Sequence, residues 1–231
     1  MTNKWLKVAL MVTAIATGTS INIDAETVLY VPQDDRPVSL QYTVDTAREA
    51  GMTVLTPPQH LISGKTYQGQ ADQIMAWVEQ NAGRADVMVL STDTLIYGGL
   101  VDSRKHNIPL STLQNRLKRI EGLKARNKNV RIYGFGTVMR SPRASGGGTE
   151  PAYYAEYGPT IFQIAALQDK LDSGSLTQEE TQKLMSLQAS VPVEYLQDWF
   201  DRRQKNMKIN KELIDETRSG VFDYFALGHD D

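Results

Sequence analysis

The sequence predicts an α/β fold: a mostly parallel sheet flanked by helices, doubly wound or a partial β/α barrel, with a helical insertion. Three observations carry this expectation. Short β-branched runs alternate with amphipathic helical patterns along the chain. The runs are apolar on both faces, as strands covered by helices must be. Roughly 70 residues of helical pattern separate the fourth run from the fifth, far beyond a normal crossover.

The first strand is Thr27–Val31, and a helix follows over Leu40–Ala50, with Leu40, Val44 and Ala47 on one side and Gly51 as its stop. Met52–Leu55 is the second strand, ended by Pro57-Pro58. Gln70–Ala82 is a helix that buries Ile74, Trp77 and Val78 and closes at Gly83. The third strand is Asp86–Leu90, followed by a long loop from Ser91 to Pro109. Ser111 with Gln114 three residues on reads as a capping box, and Leu113, Leu117, Ile120 and Leu123 form the stripe of the helix it opens. Val130–Phe135 is the fourth strand. After a loop containing Gly146-Gly147-Gly148, the helical insertion spans about residues 151–220. Within it Pro159 is expected to start one helix, Thr177 with Glu180 to cap a second, and Pro192 to start a long third. This unit is read as a lid or as extra helices packed on the sheet. The last strand is Phe222–Leu227, and its polar, loop-like exit is expected to be followed by further chain. Four or five strands are too few for an eight-stranded barrel, which favours the open sheet.

Residues 1–25 read as a signal peptide. Lys4 and Lys7 precede an apolar stretch from Val8 to Gly18, and Ala25 offers a small residue before Glu26. The α/β domain then occupies residues 26–231, in an extracytoplasmic setting: secreted, periplasmic or at the cell surface. An uncleaved anchor is the alternative, although the apolar stretch is short for a bilayer span. The mature chain has no cysteine, so its core must hold without disulfides, and thiol catalysis and thiolate metal sites are excluded. With 25 basic and 27 acidic side chains the net charge is −2, which gives no electrostatic basis for binding nucleic acid. The cluster Arg202, Arg203, Lys205, Lys208 is offset by Asp198, Asp201 and Glu212 and reads as a solvated helix face.

Ligands of parallel α/β sheets bind beyond the carboxyl ends of the strands. The residues just after each strand therefore matter most. They are Gln33-Asp34-Asp35-Arg36-Pro37 after the first, Ser91-Thr92-Asp93-Thr94 and then Tyr97 to Arg104 after the third, Thr137 to Arg143 after the fourth, and His229-Asp230-Asp231 after the fifth. Asp34, Asp35, Asp93 and Asp230 could serve as paired acid and base, or as oxygen ligands of Mg²⁺, Ca²⁺ or Mn²⁺. Arg36, Arg104 and Arg140 suit a carboxylate, phosphate or sulfate on the substrate, with Tyr97, Gly98, Gly99 and His229 beside them. The bland reading is that these acids and arginines brace loops and pair with one another. Gly134-Phe135-Gly136 lacks a third glycine, Gly146-Gly147-Gly148 lacks the lysine of a P-loop, no G-x-S-x-G elbow is present, and His60, His106 and His229 lack zinc-ligand spacing. Tyr153, Tyr154 and Tyr157 suit packing better than sugar stacking.

Three strings resemble the bacterial family known as domain of unknown function 4127: Val31-Pro32-Gln33-Asp34-Asp35-Arg36-Pro37-Val38, the run from Asp93 through Tyr97-Gly98-Gly99 to Arg104, and Leu227-Gly228-His229-Asp230-Asp231. The resemblance extends across nearly the whole mature chain and implies a longer protein. It marks residues to watch and assigns no catalytic roles. Export together with strand-end acids points to a hydrolase of a polar or carbohydrate substrate. A sugar-binding protein without catalysis is the alternative, and a purely structural envelope protein fits the polar strand ends least well.

Overall fold

The structure is a computed structural model that describes residues 25–144 and 147–229. Residues 1–24 of the expected signal peptide (1–25), Gly146 and Asp230 lie outside the described residues. Five parallel strands form one open sheet in the order β2-β1-β3-β4-β5: β1 Thr27–Val31, β2 Thr53–Leu55, β3 Val87–Ser91, β4 Arg131–Val138 and β5 Tyr224–His229. This is one of the two common orders of doubly wound sheets, whose direction reverses between β1 and β3. The register aligns Val31 with Leu90, Ser91 with Phe135, and Val138 with His229. Every carboxyl end therefore meets the same rim.

Strand residues alternate between two faces. Leu29, Val31, Met88, Leu90 and Ile132 point to one side, where they join Ile74, Met75 and Val78 of helix α2 (Ala71–Asn81) and Leu113, Leu117, Ile120 and Leu123 of helix α5 (Leu110–Arg126) in the main core. The other side carries helix α1 (Gln41–Glu49), whose Thr43 and Ala47 line a cavity of about 290 Å³ with Val28, Tyr30, Val54, Val89 and Tyr133.

The segment between Ser91 and Pro109 is not the long loop the sequence suggests. It folds into two short helices, α3 (Thr92–Tyr97) and α4 (Leu100–Lys105). Ser91 caps α3 by accepting a hydrogen bond from the Thr94 N–H. All six residues of α3 are buried, so there is no polar face to reveal a helical period. Helix α5 begins one residue before Ser111, after Pro109, and has no side-chain cap. Gln114 donates instead to Glu212 at 2.7 Å.

The insertion comprises helices α6 (Tyr154–Asp172), α7 (Gln178–Ala189) and α8 (Val193–Arg218). The Thr177–Glu180 capping box forms as expected, and Pro192 stands immediately before α8. Helix α6 starts five residues ahead of Pro159, which sits inside it. These helices build a second core around Trp199, Tyr154, Ile161, Ile164 and Leu184, with the Tyr154 and Trp199 rings 4.3 Å apart. The far half of α8 returns to the sheet, where Ile209 and Leu213 join the main core. The unit is thus fastened at the sheet rather than hung over it.

The basic cluster on α8 is not a solvated face. Arg202 is 2% exposed, donates to the His106 carbonyl at 2.6 Å, and makes two bonds to Asp198. Arg203 donates to the Met139 carbonyl, and Lys205 donates to that of Ile108 at 3.2 Å. Three of the four charges look solvated in sequence because the carbonyls that receive them come from distant segments, while Lys208 is exposed as expected.

Candidate functional site

Asp93 occupies the switch point between β1 and β3. It lies in the first turn of α3, 1% exposed, and its carboxylate ties three strands together at their carboxyl ends. Gln33, just past β1, donates to Oδ2 at 2.8 Å. Thr137 on β4 donates its hydroxyl to the same oxygen at 2.8 Å, and its N–H reaches Oδ1 at 3.5 Å. Burial pushes the Asp93 carboxyl up to about 6, against the lowering effect of these donors and of the Arg104 charge. A carboxyl tuned to that range is protonated or ionised by small changes of surroundings, as an acid/base group requires.

Arg104, whose charge acts on Asp93, lines a cavity of about 270 Å³ together with Asp34, Arg36, Lys65, Arg140 and Thr149, among others; Asp93 itself does not line it. Asp34 is buried and receives the Arg36 Nε at 2.8 Å and the Arg36 backbone N–H at 3.2 Å. Glu150 is buried beneath the cavity. Its Oε1 takes Arg140 at 2.7 and 3.2 Å and faces Arg104 at 3.8 Å, while Oε2 receives the Thr149 hydroxyl at 2.9 Å. Burial, and then the neighbouring Arg140 charge, hold Arg104 down at about 10.

The structure therefore gathers Asp34, Arg36, Arg104 and Arg140 around one cavity. The other expected residues lie elsewhere. Asp35 is half-buried and receives the Tyr67 hydroxyl. The Tyr97 ring stacks on His106 at 4.9 Å, and its hydroxyl is buried without a hydrogen-bond partner among the described residues. His229 ends β5 on the shared rim, and Asp230 lies beyond the described residues. Among the described residues, no three His, Asp or Glu side chains gather as a metal site.

Gly98 and Gly99 are packed by the chain itself. Gly98 has φ +113°, a left-handed conformation suited to glycine. A Cβ on Gly69 would lie 2.0 Å from the Gly98 carbonyl oxygen, and one on Gly99 would lie 1.8 Å from the Ser63 Oγ. Asp102 seals this contact by accepting the Gly69 N–H at 3.0 Å. Gly69→Ala is expected to force the two loops apart, because the obstruction is backbone, and to lower stability by about 3 kcal/mol. A shift of the urea midpoint at unchanged slope would measure it.

Sequence reasoning missed Lys65 and Glu150, which stand in loops with no local pattern to say where they fold. Gln33 and Thr137 were within the strand-exit strings, yet neutral side chains gave no reason to single them out.

Fold and site together define an open parallel α/β protein with a buried acid and a cationic cavity at the carboxyl rim of its sheet. The chain belongs to the family described as Protein of unknown function (DUF4127), whose model matches residues 28–231. No curated protein and no solved structure matches it.

Proposed function

We propose that the protein is an extracytoplasmic hydrolase of a polar, carbohydrate-type substrate, with Asp93 as its acid/base group. The observation that carries this reading is the buried Asp93 carboxyl, pushed up to about 6 at the topological switch point and felt by Arg104, which lines the neighbouring cavity. Asp93 in its protonated form would supply the proton to a leaving oxygen. Asp34 is the nearer of the remaining acids to the cavity, and Arg36, Arg104 and Arg140 would orient the substrate. Asp35 and Asp230, expected from sequence as acid/base or metal-binding residues, take no part in this reading: Asp35 accepts the Tyr67 hydroxyl and Asp230 lies outside the described residues. Export is supported by the Lys4, Lys7 and Val8–Gly18 pattern.

One observation favours the second reading, a sugar-binding protein without catalysis: Asp93 is 1% exposed, and both its oxygens already accept hydrogen bonds. A calorimetric screen against glycan fragments and divalent cations, followed by chromatography of the mixtures, separates the two. Hydrolysis is expected to yield product and to fall about 10²- to 10⁴-fold in Asp93→Asn at unchanged fold. Saturable binding with no product would support the receptor instead. Product formed equally well by Asp93→Asn would remove Asp93 from the chemistry.

A further inference from the structure

The cavity lined by Arg104 collects cations from four separate segments. Arg36 comes from the β1 exit, Lys65 from the loop before α2, Arg104 from α4 and Arg140 from the β4 exit. They are graded by depth. The side chain of Arg104 is 5% exposed, that of Arg140 18% and that of Arg36 54%. Lys65 is exposed at the mouth, and among the described residues no carboxylate pairs with it. The two inner guanidiniums lean on the same oxygen of Glu150, so they stand close to one another inside the protein.

From this geometry we infer that the cavity binds an oxyanion group of the ligand, a carboxylate, sulfate or phosphate, with Arg104 and Arg140 at its floor and Arg36 and Lys65 at its mouth. The substrate class is then acidic rather than neutral, an inference that rests on the hydrolase reading above. Guanidinium forks match the oxygens of all three groups, and Lys65 adds a point charge that follows a ligand of variable shape. Burial first, and then the Arg140 charge, lower the basicity of Arg104, and an arriving anion would offset the second of these. The volume suits one sugar-sized unit carrying its acid group.

The test is calorimetry on the whole chain with inorganic phosphate, sulfate and glucuronate, and with glucose as the neutral control. At least one anion should bind saturably, more weakly as salt rises, while glucose does not. Lys65→Glu, at an exposed side chain, should weaken that binding at least tenfold, and Lys65→Arg should retain it. No saturable binding by any of the three anions overturns the inference, as does Lys65→Glu binding within tenfold of the parent. The result is independent of catalysis. Asp93→Asn should keep anion binding even where turnover is lost, and failure of anion binding with turnover intact removes only the pocket assignment.

Discussion

Asp93→Asn is expected to make the protein more stable than its parent at neutral and alkaline pH. The folded carboxyl holds its proton up to about 6, against an ordinary 3.8, because burial disfavours its charge. Between those values the folded chain keeps a proton that the unfolded chain releases. The contribution of Asp93 is therefore fully present below 3.8 and is lost as pH rises through 6, by about 3 kcal/mol. Asparagine carries no such cost, and its side-chain oxygen can still accept from Gln33 and Thr137. Urea titrations at pH 3.5 and pH 8 should show the variant gaining about 3 kcal/mol on the parent between them. A gain of zero would mean that the carboxyl is ionised in the fold without penalty.

His106 tilts the balance the other way, which sharpens the experiment. Its Nε2 faces the Asn206 Oδ1 at 2.8 Å and its Nδ1 accepts the Ile108 N–H at 3.3 Å. Burial pushes it down to about 4, so stability from His106 is lost as pH falls from 6.5 towards 4. In the parent the two slopes oppose each other across the same window. In Asp93→Asn the histidine slope is no longer opposed by Asp93, and the variant should lose stability in acid more steeply than the parent.

Glu150→Ala is expected to cost about 3 to 5 kcal/mol, since it leaves the Arg104 and Arg140 charges in a site built around one shared carboxylate. Glu150→Gln keeps the shape and removes only the charge, so its loss should be smaller. Both variants should also make the cavity above more attractive to anions. Phosphate added to either should then recover part of the lost stability through binding to the folded form, which urea titration with and without phosphate would read. A stability equal to the parent's in Glu150→Ala would show that this carboxylate carries no structural weight.

The strands were legible in the sequence because buried parallel strands are written as short β-branched runs. Thr27–Val31 was placed to the residue, and the others shifted by one to three. The same reading placed the acids and arginines on one rim, because parallel alignment alone sends every strand exit there. It failed where local pattern carries no information. Helix α3 is buried all round and shows no amphipathic period. Arg202 looks solvated in a run of charges, and only the fold brings the His106 carbonyl and Asn107 to it. Pro159 resembles a start signal, yet the helix already runs from Tyr154, at the loss of a single backbone donor. Lys65 reaches the cavity from a loop whose path depends on the Gly69–Gly98 contact, a close approach that no spacing announces.

The excursion between Val138 and Tyr224 costs the fold less than its length suggests. Lengthening a connection raises its closure cost only slowly, by about 0.6 kcal/mol for each doubling. The three helices in between shorten it further by condensing on their own nucleus around Trp199 and Tyr154. The edge strand Tyr224–His229 then pairs with β4 over six residues, against three for β2 at the opposite edge, so the long connection delivers a firmly paired strand.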